Sequence, residues 1–134
     1  YAADYVEMQW LMLQQSTPKD YIISTGRQST VREFLNLCFK ELNLTVVWEG
    51  NGVNEIAKVI GFPKEFKVQS GQVIVRVDPK YFRPAEVDSL LGDSSLAHKE
   101  LGWQSTTSLE KLVKNMITSD LKLAKASELL LKAP

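Results

Sequence analysis

Apolar residues recur along the chain in two rhythms, and the switches between them mark out its elements. From Asp4 to Gln15, Val6, Trp10, Leu11 and Leu13 stand among mostly polar neighbours, with Met8 and Met12 four residues apart, which predicts a helix with a broad apolar face. Ser16-Thr17-Pro18-Lys19-Asp20 ends it. Tyr21-Ile22-Ile23-Ser24 is short, β-branched and bounded by Gly26, the pattern of a buried strand. Ser29 or Thr30 then caps a helix, with Glu33 reaching back in a capping box and Phe34, Leu35, Leu37, Cys38, Phe39 and Leu42 on its apolar face. Asn43 closes that helix, and Thr45–Glu49 reads as a strand in which Trp48 either offers its ring face to a nucleobase or, the favoured reading, packs within the sheet.

From Gly50 to Gly71 the rhythm breaks. Gly61, Pro63 and Gly71 punctuate scattered charges, so a loop or excursion with short strands is expected. Gln72–Val77 resumes a strand that is apolar on both faces. Val87 to Gly92 reads as a short helix, and Asp93 to Leu101 as a second, capped by Asp93 or Ser94 and stopped at Gly102, with Trp103 as an anchor beyond it. Thr107 or Ser108 opens the last helix, where Leu109, Leu112, Val113, Met116, Ile117, Leu121 and Leu123 recur at helical intervals. Its tail from Ser127 keeps three consecutive leucines, which either dock on a partner or fray.

Composition narrows the class. With 134 residues, of which 44% are hydrophobic, the chain has material for one globular domain or part of one. Lysine plus arginine and aspartate plus glutamate balance at 16 each, which disfavours a general attraction to nucleic acid or to an anionic membrane. Cys38 stands alone and cannot form an internal disulfide, so a reducing cytoplasm is the expected setting. No apolar run reaches the length of a membrane span. His98 has no ligand set around it in sequence, so no metal site is expected, and it reads as an exposed helical residue.

Candidate chemistry concentrates in Val75-Arg76-Val77-Asp78-Pro79-Lys80-Tyr81-Phe82-Arg83-Pro84-Ala85-Glu86-Val87-Asp88. A strand runs into a loop stiffened by two prolines, and the loop carries Arg83 and Glu86. A guanidinium fork suits an anion, and a carboxylate three residues on suits hydroxyls. By spacing alone, the two residues either hold a ligand or simply pair with each other beside a helix start. The wider alternative is a small α/β ligand-binding or interaction module without catalysis, in which both are structural.

The run Tyr81-Phe82-Arg83-Pro84-Ala85-Glu86-Val87-Asp88, followed by Leu91-Gly92-Asp93 and Leu101-Gly102-Trp103, resembles the C-terminal part of the GDP-mannose 4,6-dehydratases, members of the extended short-chain dehydrogenase/reductases. Asp4–Gln15 is similar to that family's helix before its domain crossover, and Asp20–Gly26 to the strand that follows. The ordered set spans nearly the whole chain. Ala2 and Ala3 depart from the family's frequent basic residue before Asp-Tyr-Val, which puts in doubt any contact made there.

The resemblance implies an α/β fold that is the substrate-binding part of an extended short-chain dehydrogenase/reductase. Residues 1–28 would form a helix and strand crossing to a separate Rossmann domain, and residues 29–134 a nucleotide-sugar-binding domain. It implies an NADP-dependent lyase converting GDP-mannose to GDP-4-keto-6-deoxymannose, on the way to fucose or rhamnose, in a cytoplasmic homo-oligomer of two or four copies. Arg83 would bind the diphosphate and Glu86 the ribose hydroxyls. The catalytic residues and the NADP turn belong to the N-terminal domain, so none is expected here and the chain alone should be inactive. Gly50 and Gly52 lack dinucleotide-turn spacing. A strand taken from its sheet has unpaired edges, so the chain is also expected to be a poor autonomous domain.

Overall fold

The computed structural model describes residues 1–83 and 89–131. In chain order these form α1 (Ala2–Leu13), α2 (Val31–Glu41), β1 (Thr45–Glu49), a single 3-10 turn at Gly52–Asn54, β2 (Ile56–Gly61), β3 (Val73–Arg76), α3 (Ser95–Leu101) and α4 (Leu109–Leu131). The class is α/β, with a three-stranded antiparallel sheet in the order β1-β2-β3.

Local chemistry sets most boundaries. Thr30 Oγ1 accepts the Glu33 amide at 3.1 Å while Glu33 Oε2 accepts the Thr30 amide at 2.7 Å, so both orphan donors at the start of α2 are satisfied. Asn43 leaves that helix with φ of 54° and Gly102 leaves α3 with φ of 65°. Ser108 Oγ accepts the Lys111 amide at 3.2 Å to open α4. The tail leucines continue this helix to Leu131 rather than leaving it.

Packing falls into two regions. On one side α2 lies against α4 and β1, and Phe39, Ala57, Val59 and Val113 are buried. Trp48 serves as a packing residue here, its ring tilted against Phe39 with centroids 6.3 Å apart. On the other side Met8 of α1, Ala97 of α3 and Trp103 form a cluster joined by Leu11, Met12, Tyr21, Ile23 and Leu101. Full burial of a side chain such as Met8 or Val113 contributes roughly 1.5–3 kcal/mol.

One expectation needs correction and another is not met within this chain. Tyr21–Ser24 pairs with none of the described strands, and the sheet it was expected to join is that of a separate Rossmann domain. Tyr21 and Ile23 turn into the α1–α3 cluster instead, and Ser24 Oγ donates to the Gly92 carbonyl at 2.7 Å. The predicted helix from Val87 to Gly92 fails over its described part, since Ser89–Gly92 is irregular; its first two residues lie outside the described residues. Gly92 packs so closely on Ser24 that a Cβ there would stand 2.8 Å from the Ser24 Cβ.

Candidate functional site

The loop singled out by its chemistry grows from the end of the sheet. β3 pairs Arg76 with Ile56, and one residue further the Val77 amide donates to the Glu55 carbonyl at 3.3 Å. Asp78-Pro79 then starts two overlapping turns: the Tyr81 amide donates to the Asp78 carbonyl at 3.0 Å and the Phe82 amide to the Pro79 carbonyl at 3.4 Å. Asp78 Oδ1 accepts the Lys80 amide at 2.9 Å, the local bond that makes aspartate a good turn opener. Lys80 Nζ lies 5.4 Å from the Tyr81 ring centroid. Arg83 follows, exposed at the end of this turn pair, beside the exposed rings of Tyr81 and Phe82. Glu86 lies outside the described residues.

A separate cleft lies elsewhere among the described residues. A cavity of about 680 Å³ opens between the Thr25–Ser29 segment, α2 and the start of α4, and Arg83 is not on its wall. Arg27 and Lys40 face it together with Glu33 and Glu110, among the hydroxyls of Ser29 and Thr107. Hydrogen bonds from its own amide and from Ser108, aided by Arg27 and Lys40, hold the Glu110 carboxyl below the usual glutamate range. The cleft therefore has mixed charge, suited to a polar ligand or segment rather than to a bare anion. Sequence reasoning passed over these residues. The only local signal was that both walls are helix starts, at Ser29-Thr30 and at Ser108.

Gly50 and Gly52 lie in the connection between two antiparallel strands, not between a strand and a helix of a βαβ unit, and Gly50 is packed against the Asn54 carbonyl. That loop is no cradle for a dinucleotide phosphate. Among the described residues, no group of three or more His, Cys, Asp or Glu is gathered as for a metal ion, and no helix is long and apolar enough to cross a membrane. His98 is exposed on α3. Cys38 is half-buried, and burial pushes its thiol up.

A family model described as GDP-mannose 4,6 dehydratase matches residues 1–116. Among curated proteins, the chain is 49% identical over 135 residues to a GDP-mannose 4,6-dehydratase of Vibrio cholerae, an alignment covering 98% of this chain and 36% of the relative. It is 46% identical over 132 residues to the GDP-mannose 4,6-dehydratase of Yersinia enterocolitica, with 97% and 36% covered. The human GDP-mannose 4,6 dehydratase is 39% identical over 127 residues, with 95% and 32% covered. The chain spans about a third of the length of the curated relatives it matches.

Proposed function

The chain belongs to the GDP-mannose 4,6-dehydratase family, and from that membership we propose that it is the substrate-binding portion of an enzyme converting GDP-mannose to GDP-4-keto-6-deoxymannose. The observation that carries the reading is the Arg83 loop, rooted on a sheet end, stiffened by two turns, and ending in an exposed guanidinium. Arg83 donates to the non-bridging oxygens of the diphosphate, and Glu86 accepts from the ribose hydroxyls. Gripping the nucleotide, which does not react, orients the hexose for chemistry performed elsewhere.

We assign that chemistry, with NADP, to the part of the relatives' length that this chain does not span. Residues 1–28 form the crossover to that part and residues 29–134 the nucleotide-sugar side of the cleft. The fold is then one lobe of an extended short-chain dehydrogenase/reductase, working in the cytoplasm as a homo-oligomer. The 134-residue chain alone is inactive.

Turnover of GDP-mannose by the native-length protein, with GDP-glucose and UDP-glucose alongside, tests the reading. Conversion of GDP-mannose alone supports it, and conversion of none of the three overturns it. Arg83→Ala should raise KM about 10–100-fold, the worth of a charge-assisted pair, with kcat changed far less. An unchanged KM would remove Arg83 from the site.

A further inference from the structure

One residue holds the root of the Arg83 loop from two sides. Glu55 ends the β1–β2 connection, and its carbonyl receives the Val77 amide just before Asp78 begins the turns. Its carboxylate pairs with the Arg32 guanidinium of α2. Arg32 also lies over the Trp48 ring, 5.4 Å from its centroid, and one helical turn on Asn36 Oδ1 accepts the Trp48 indole N–H at 2.9 Å. The face of α2 carrying Arg32 and Asn36 therefore grips β1 and the sheet end at three points. Glu55 is the shielded member, with its side chain 18% exposed against 54% for Arg32.

We propose that Glu55 and Arg32 are positioning residues for the substrate loop. Resting on the function proposed above, they fix Val77 against α2 and thereby set where Arg83 meets the nucleotide diphosphate. Arg83 lies six residues beyond Val77, and all five between them, Asp78 to Phe82, belong to the two overlapping turns, so a shift at the root is passed on rather than absorbed. A guanidinium displaced from its anion loses the bidentate geometry that gives the pair its strength, so affinity falls. A brace with no such role would lower thermal stability and leave substrate affinity alone.

The test uses the native-length enzyme and compares Glu55→Gln, Arg32→Ala, Arg32→Lys, the Glu55→Gln/Arg32→Ala double variant and Arg83→Ala. KM and kcat for GDP-mannose, Kd for GDP and Tm are measured for each. Glu55→Gln keeps the main-chain bond to Val77 and nearly the same shape, so it remains informative where Arg32→Ala does not fold. The expected result is a rise of about 5–10-fold in KM and in Kd for GDP for Glu55→Gln and for Arg32→Ala, less than for Arg83→Ala itself, with kcat within about twofold. Arg32→Lys, which keeps the charge without the fork, should fall between Arg32→Ala and wild type. The double variant should be no worse than the worse single one, because the two act as a unit.

A lower Tm with KM unchanged, or additive effects in the double variant, overturns the proposal. Should Arg83→Ala weaken GDP binding while the Glu55 and Arg32 variants do not, the proposal fails and the functional reading stands. Wild-type enzyme that neither binds GDP nor converts GDP-mannose overturns both.

Discussion

Asp4 is the one charged side chain buried among the described residues, and it is fully occupied. Ser105 Oγ donates to its carboxylate at 3.0 Å, Thr107 Oγ1 at 3.2 Å and Thr106 Oγ1 at 3.4 Å, while the Trp103 indole donates to its carbonyl at 3.1 Å. Burial pushes this carboxyl up, but the bonds from Ser105 and Thr107 together outweigh it and leave it below the unperturbed value of 3.8. A carboxyl depressed in the folded state stabilises fully above its unfolded value and loses that contribution as pH falls through the folded one. Asp4→Ala should therefore cost about 1–3 kcal/mol at pH 7. Thermal melts from pH 7 to pH 3 should show the gap to wild type constant down to about pH 5 and narrowing below pH 4. A gap that does not narrow would mean that the charge contributes nothing.

At the scale of elements, the β1–β2 connection depends on one position. Gly50 has φ of 76°, and a Cβ there would stand 2.4 Å from the Asn54 carbonyl oxygen, a main-chain atom with no freedom to swing aside. Gly102 has φ of 65° with open space around it. Gly102→Ala should thus cost only the left-handed backbone penalty, about 1–2 kcal/mol, and Gly50→Ala more, roughly 2–4 kcal/mol. Urea midpoints of the two variants check the order. Elements with local punctuation were the ones legible in the sequence: α2 with its Thr30–Glu33 box, β1 at Thr45–Glu49, and α3 ending at Gly102. Tyr21–Ser24 pairs with no described strand, because strand identity depends on a neighbour and the expected one lies in another domain. β2 was only loosely foreseen, as Lys58 interrupts its apolar run and a register shift at Ala57/Lys58 breaks the alternation. Candidate residues followed the same rule. Arg83 was proposed from its own loop, whereas Arg32 and Glu55 pair, and Arg27 and Glu110 line one cleft, only through tertiary packing.

For the whole molecule, α1 is the outlying feature, because it is apolar on opposite sides. Met8 is buried inward, while Val6, Trp10 and Leu13, at helical spacing on the other face, are 63%, 60% and 81% exposed. A contiguous apolar stripe in water associates with whatever matches it. The 134-residue chain on its own should self-associate with rising concentration, and Trp10→Ser with Leu13→Ser should suppress this in sedimentation. A chain that stays monomeric at high concentration, with and without those changes, would show that the stripe is inert.

The inward side of α1 has a consequence for synthesis. Its cluster partner Trp103 and its acceptor-capping hydroxyls come about a hundred residues after it, since Trp103 and Asp4 are separated by 99 positions and Thr107 and Asp4 by 103. At about 5–20 residues per second, translation leaves Met8, Leu11 and Met12 without their partners for roughly 5–20 s. During that interval both sides of the helix are sticky, and a holding chaperone has its longest opportunity here. The β1–β2 hairpin, whose strands are separated by only a short connection, will have formed before α1 can settle.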